Sequence, residues 1–589
     1  MKQMNFDVVV IGGGMSGISA AIAAARQGVK VALLQDRPVL GGNASSEIRM
    51  HICGATRHGE KKGNFRETGI IEEILLENKY RNPAYSYGMF DTLLWEKVVS
   101  EENITLFLNT YVRDVKAENG RVISVTANQL TTEKEIEFSA SQFIDCSGDG
   151  FVSYKAGAEY MFGRESKDTF GEPNAVDKAD KITMGNSIQF RSLDAGHPVP
   201  FQKPDWAYDY SDTDWADIRT KAEITSGYWW VEIGGTEWDC IKDSELTRDE
   251  MLKIIYGLWD FIKNHSENKK AAENYYLDWV SFIPAKRESR RIKGDYVLNE
   301  NDVLENRRFD DAIAYGGWHL DSHRPEGFYA FINDTPQLED KAIIFDGIYT
   351  IPYRSIYAKD FSNLLLGGRI ISASHRAFSS SRVMATCAVV SEASGIAAAM
   401  AVKEKCDCRK VNVSALQQEL LKNGCYIPNV KNNDQTDKAR TAAVSASTFV
   451  KGFEPENIIN GVARPSGQDS NMWQSDENDK APSITLDFKK ATEVKETIIT
   501  FDSNLDVEIM ISLSKWAQNR QSEKIPDTIV KDYKIDYCLN GKIVDTKTIS
   551  NNHQRMNNVK SDVICDKMVL TVLNTNGFSK ARICEMRVY

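Results

Sequence analysis

Phe6-Asp7-Val8-Val9-Val10-Ile11-Gly12-Gly13-Gly14-Met15-Ser16-Gly17 carries an apolar strand directly into a glycine turn. An apolar helix pattern follows from Ile18 to Gln27, then a second apolar strand from Lys30 to Leu34. Strand, glycine turn, helix and strand in that order are the context in which G-x-G-x-x-G denotes a dinucleotide site. Gly12 permits the tight turn, Gly14 lets backbone amides approach a pyrophosphate, and Gly17 lets helix and strand pack closely. Ser16 lies where the helix begins, and the free N–H groups and positive dipole end there favour a diphosphate. A glycine turn without a ligand is the plainer alternative, and the flanking elements argue against it.

Working outward, Gln35 and Asp36 close the second strand, where an acid ordinarily bonds the adenosine ribose. Gln35 occupies that place and can still bond a hydroxyl, with Asp36 beside it. Arg37 is near enough to leave a 2′-phosphate open. Spacing predicts helices over 64–78 and 89–102 and strands over 105–108, 112–118, 121–129 and 135–139. Glu118-Asn119-Gly120 reads as a hairpin turn, so these strands form a small inserted meander. It leads to Phe143–Gly150, an apolar strand ending in a second glycine turn that holds Gly148 and Asp149.

From about 161 to 340 the pattern changes to an aromatic-rich stretch with little βα alternation. It contains Trp206, Trp215, Trp229, Trp230, Trp238, Trp259, Trp279 and Trp318, and is expected to form a cap over the nucleotide domain. Apolar runs and glycine turns return at Ile351–Arg354 and Asn363–Arg369, followed by a helix over 382–403. Residues 429–440 read as a polar linker. Short alternating strands over 483–488, 496–502, 507–513, 534–539, 542–546, 567–573 and 581–589 then argue for a β-sandwich.

At 589 residues, two to four domains are expected. Charged residues make up 26% and hydrophobic residues 42%, which excludes wholesale disorder. A net charge of −11, without any Lys/Arg block, argues against a nucleic-acid partner. No run reads as a membrane span, since the Ala-rich stretch 384–402 suits a buried helix better. The ten cysteines lack metal-ligand spacing, so no metal is expected. The reading is a cytoplasmic protein with reduced thiols, or a periplasmic or secreted one if a signal peptide has been removed.

Four stretches resemble the bacterial FAD-dependent oxidoreductase family, two-dinucleotide-fold flavoproteins found beside polysaccharide-degradation enzymes. They are Gln35–Glu47 with its Gly41-Gly42 doublet, Arg287–Tyr296, Ile351–Arg354, and Gly367-Gly368-Arg369 with Ser372-Ala373-Ser374-His375. The tail resembles a discoidin-like, galactose-binding-like sandwich through Ala443–Ser447, Pro455–Gly461, Asn471-Met472-Trp473 and Pro482–Phe488. Whether Trp473 faces a ligand or the core is left open. The fold class expected is therefore α/β: a Rossmann-like FAD-binding domain with an inserted α+β cap, plus an all-β C-terminal sandwich. The boundaries expected are 1–160 with 341–428 for the FAD-binding domain, 161–340 for the cap and 441–589 for the sandwich.

The resemblance implies that Gly41, Gly42, Asn43 and Ser45 line the flavin or its diphosphate. It places backbone donors near the flavin ring from Gly368, Arg369 and Ser372 onward. For Asn43 and Ser45, helix capping is the alternative. Oxidising an alcohol C–H by hydride transfer to flavin N5 needs a base near neutrality, and imidazole is the usual choice. His375 is the first candidate; His319 and His323 are the others, with Asp321 able to orient either. In the charged cluster Arg287, Glu288, Arg290, Arg291, an arginine such as Arg290 could bind a substrate carboxylate or anchor the cap. A covalent flavin link through His51 or Cys53 is chemically open, and non-covalent FAD is expected.

The function expected is oxidation of a sugar or similar polyhydroxylated small molecule, with the electron acceptor left open. The competing readings are a fumarate-reductase-like reductase of an activated C=C bond and a glycan-binding protein with a relic flavin domain.

Overall fold

A computed structural model describes residues 1–213, 216, 224–227, 231–332 and 342–589. Trp215, Trp229 and Trp230 lie outside the described residues. The first strand, β1 (Lys2–Ile11), pairs in parallel with β2 (Val31–Leu34) on one side and β6 (Lys134–Asp145) on the other. β3 (Ile104–Phe107) extends the sheet beyond β2. β4 (Thr110–Glu118) and β5 (Arg121–Gln129) form the antiparallel meander, with Asn119 and Gly120 both at positive φ in its turn. β6 is long enough to serve twice: its first half pairs with β5, and its last residues pair in parallel with Leu364–Leu366.

Between β1 and β2 runs α1 (Met15–Arg26). A Cβ on Gly17 would lie 1.7 Å from the Gly12 carbonyl oxygen, so only glycine lets α1 start this close to β1. Helices α2 (Ile70–Arg81) and α3 (Tyr87–Val99) follow. The expected start of α2 at 64 is corrected, because residues 63, 64 and 66 bond across to the C-terminal region. The expected 382–403 helix runs from Met384 to Glu404, and a separate short helix, His375–Ser381, precedes it. Met384–Glu404 is long and apolar enough to span a membrane, yet 94% of its apolar window is buried inside the protein.

Phe190, Met251, Leu258, Trp259 and Phe328 gather a separate aromatic core. Ile292, Leu298, Val303 and 312–314 pack into the main core instead. The C-terminal β-sandwich encloses Trp473, Phe501, Tyr533 and Tyr537. The two strands expected over 483–488 and 496–502 are one bulged strand, Ser483–Phe501. The strand expected over 507–513 is absent. Ile509, Met510, Ile511 and Leu513 are apolar because they are buried in the core of the nucleotide-binding part, not the sandwich.

That crossing is held by buried polar groups. Arg66 donates to the carbonyls of Ser503 and Asn504 at 3.0 and 3.1 Å and pairs with Glu72 at 2.8 Å. Asp506 accepts from the backbone amides of Gly63 and Asn64 at 2.8 and 2.6 Å. Arg464 reaches Thr68 and Tyr315 at 2.8 and 3.1 Å. Residues 429–440 lie against the sandwich: Asn432 is bonded to Gly461, and Asp437 accepts from the Val588 amide.

Candidate functional site

A cavity of about 900 Å³ opens beyond the carboxyl ends of β1, β2 and β6, bounded there by Ile11, Leu34 and Cys146. That is where open α/β sheets bind ligands, and the volume lies at the upper end for small-molecule sites. One end is the glycine loop. Gly12, Gly14 and Ser16 line it, and α1 begins there with no capping side chain and no acid in its first turn. The unpaired amides and dipole end of α1 therefore face the cavity uncompensated. Gly41 donates to the Gly13 carbonyl at 2.8 Å, bringing the Gly41-Gly42 doublet against the loop. Asn43 lines the wall and donates to the Lys286 carbonyl at 3.2 Å.

The late glycine turn at Gly367-Gly368 converges on the first loop. A Cβ on Gly368 would come within 2.8 Å of Ser16 Oγ. Between the two turns, Asp149 pairs with Lys286 at 2.6 Å and Arg369 at 2.9 Å. Burial alone would raise the Asp149 carboxyl, but the two cations together hold it below its ordinary value. Gly148 lines the cavity beside Arg369. The long trough, the uncapped helix start and the glycine approaches fit an extended dinucleotide such as FAD.

Gln35 lines the cavity, buried with its oxygen accepting from the Gly13 amide at 2.7 Å and its nitrogen donating to the Val39 carbonyl at 3.2 Å. Its amide shapes the turn, leaving exposed Asp36 as the acid at that rim. Gly17 and Ser45 are not on the cavity surface; Gly17 spaces helix from strand, and Ser45 is fully buried behind the doublet. Ser372 is also off the cavity, its backbone bonded to Ser355 and Leu298 in the interior.

His375, the first catalytic candidate, is likewise not on this cavity. It opens the helix His375–Ser381, is 3% exposed, and sits 3.0 Å from Glu288. Burial would raise Glu288, but His375 and Arg291 hold it low, which describes an interior ion pair. His319 and His323 do line the cavity. Asp321 stands 3.4 Å from both imidazoles, and Glu232 holds His323 Nδ1 at 2.7 Å. Burial opposes the charged form of His323, but Glu232 and Asp321 outweigh it and raise its pKa. Among the described residues, buried Nδ1 of His319 has no hydrogen-bond partner.

The arginines on the wall are committed. Arg287 pairs with Glu232 at 3.3 Å and Arg382 with Asp321 at 3.2 Å. Arg290 donates to the Asp149 carbonyl at 3.0 Å and lies 4.0 Å over the Tyr154 ring.

His51, Cys53, His58, Trp318 and Trp516 complete the wall. Burial, followed by neighbouring His58 and Arg287, lowers His51 to about 3. Burial, followed by His319 and Arg520, lowers His58 to about 4. Sequence reasoning passed over His58, Lys286, Glu232 and Trp516. His58 was detectable as a second imidazole five residues past Cys53, whereas Trp516 carried no signal, since it lies in the C-terminal region.

Over 193 residues the chain is 28% identical to the tRNA uridine 5-carboxymethylaminomethyl modification enzyme MnmG of Treponema denticola, covering 29% of this chain and 30% of that enzyme. It thus spans under a third of the length of that curated relative. A Streptococcus pneumoniae fucose binding module, SpX-3, aligns at 13% identity and a TM-score of 0.20, covering 26% of this chain and 97% of that chain. The family 32 CBM from C. perfringens NanJ, solved in complex with galactose, aligns at 19% identity and a TM-score of 0.19, covering 26% and 95%. The model of the family described as FAD dependent oxidoreductase matches residues 7–420, more than half of the sequence, and the chain belongs to that family.

Proposed function

We propose that this FAD-dependent oxidoreductase oxidises an alcohol C–H of a carbohydrate or other polyhydroxylated small molecule, with His319 as the base. The carrying observation is the His319–Asp321–His323 group on the wall of the cavity that holds both glycine turns. His319, as a neutral imidazole beside Asp321, takes the substrate hydroxyl proton on its ring. Asp321 then stabilises the imidazolium. His323, held toward its charged form by two carboxylates, acts as a fixed positive neighbour rather than a base. FAD, when bound, supplies the two-electron acceptor for the hydride leaving the substrate carbon.

Trp318 and Trp516 offer apolar faces for sugar C–H groups. The pairing of Arg287 and Arg382 with carboxylates disfavours a carboxylate clamp, and with it the C=C reductase reading. A tRNA substrate, suggested by the Treponema relative's name, suits poorly a chain of net charge −11. Non-covalent FAD, a reducing cytoplasmic location, and the division into 1–160 with 341–428, 161–340 and 441–589 belong to the same proposal. Ten free cysteines support the location, and separate cores around Trp259 and in the sandwich support the division.

The test is anaerobic incubation of holoenzyme with a panel of sugars and polyols. Bleaching of the visible flavin band is expected, with His319→Ala slowing it by about 10²–10⁴-fold. Reoxidation of the reduced enzyme by fumarate-like alkenes, without bleaching by any polyol, would overturn the reading.

A further inference from the structure

One part of the cavity wall is not used by this reaction. His51, Ile52 and Cys53 alternate in burial: Ile52 is 1% exposed in the core, while His51 and Cys53 line the cavity. The chain then bends back through three consecutive residues at positive φ, Arg57 (52°), His58 (57°) and Gly59 (77°). Two adjacent non-glycine residues in that region are costly and persist where the surroundings enforce them. Here Asp506 holds the following amides, and Arg520 pairs with Glu60 at 2.6 Å.

The result is that His58 Nε2 faces Cys53 Sγ at 3.9 Å, with the His51 ring 5.2 Å away edge-on. One ligand atom from each of the three lies within 4.8 Å of the others. Among the described residues, buried Nδ1 of His58 has no hydrogen-bond partner, and its ring is packed edge-on by Trp318 and Trp516. The thiol is a weak partner for Nε2, so the polar capacity of this imidazole is unmet by protein. Two imidazoles and a thiol, three ligands with a fourth direction open to a chamber, are the donor set of a borderline-soft divalent ion rather than magnesium or calcium.

We propose that His51, Cys53 and His58 bind one zinc-class divalent cation on the wall of the flavin cavity, leaving one coordination position open to a substrate oxygen. The site does not depend on which substrate is oxidised. Binding draws the three ligand atoms together and deprotonates Cys53.

The experiment uses holoenzyme stripped with chelator and dialysed against limiting zinc(II), with bound metal measured per flavin. One zinc per chain is expected. Cys53→Ser and His58→Gln are each expected to weaken retention by about 100-fold or more, with an unchanged melting temperature of the metal-free proteins as the check on folding. Cobalt(II) in place of zinc should add a thiolate-to-metal band, absent in Cys53→Ser. Wild-type protein that retains no zinc, or flavin-loaded variants that retain as much as wild type, would overturn the proposal.

Discussion

Trp473 and Trp516 come from the same C-terminal region and meet opposite ends. Trp473 is fully buried at the centre of the sandwich, its Nε1 donating to the Thr448 carbonyl at 2.9 Å. Trp516 is 43% exposed and stands edge-on to His58 at 5.3 Å, on the wall of the cavity. Trp473 is therefore part of the sandwich's framework, whereas the segment leaving the sandwich at Ser503 reaches the cavity wall. A module of this kind is easily taken for a tethered binding domain. Here its loop buries Ile509, Met510 and Ile511 in the other core and so cannot swing free without exposing them.

The largest effect is expected in the framework. Trp473→Ala should cost about 3–5 kcal/mol in urea denaturation, because it empties a dry core site and leaves a carbonyl unpaired. A loss under 1 kcal/mol would mean that the two halves of the comparison are not different in kind. At the seam, Arg66→Met removes the partner of buried Glu72 and of the Ser503, Asn504 and Val507 carbonyls, and should cost about 3 kcal/mol. It should also loosen the 503–520 segment, read as faster backbone amide exchange there than in the sandwich strands.

Glu508, on the same segment, sharpens the contrast through pH. Burial, with Glu67 adding to it and Arg66 opposing, raises its carboxyl from 4.5 to about 7. The folded form thus keeps a proton that the unfolded chain releases near 4.5. Its contribution is full below that value and is lost as pH rises through about 7. Glu508→Gln should therefore unfold at higher temperature than wild type above pH 7, and the gap should close at low pH. Equal pH profiles for the two proteins would sink this assignment.

The smallest change in stability belongs to Trp516→Ala, under about 1 kcal/mol for a half-exposed ring. Its signature is instead a rise of up to about 10-fold in the polyol concentration that half-bleaches the flavin. An unaltered titration would return Trp516 to a purely structural role.

Much of the nucleotide-binding part was legible because its signals are local. Gly12, Gly14 and the strand before them are dictated by the turn they must make, and the Glu118-Asn119-Gly120 hairpin by the φ values it needs. The candidate base was only half legible. His319, Asp321 and His323 are neighbours in sequence and meet in space, whereas His375 looked better placed and was drawn into the interior by Glu288. Nothing local to His375 distinguishes a buried ion pair from a cavity wall, because Glu288 is far away in the chain. The 507–513 run misled for a related reason: strand-like apolarity records burial, not the core in which the residues are buried.

By itself, then, the sequence determined the elements whose causes lie within a few residues: the glycine turns, the parallel βα start, the hairpin and the run of sandwich strands. Tertiary structure alone decided which imidazoles share a cavity, that Gln35 is spent inside the turn, and that a C-terminal loop walls the site. Those outcomes depend on desolvation and on partners distant in the chain, and no short-range pattern encodes which buried charge will find which counter-charge.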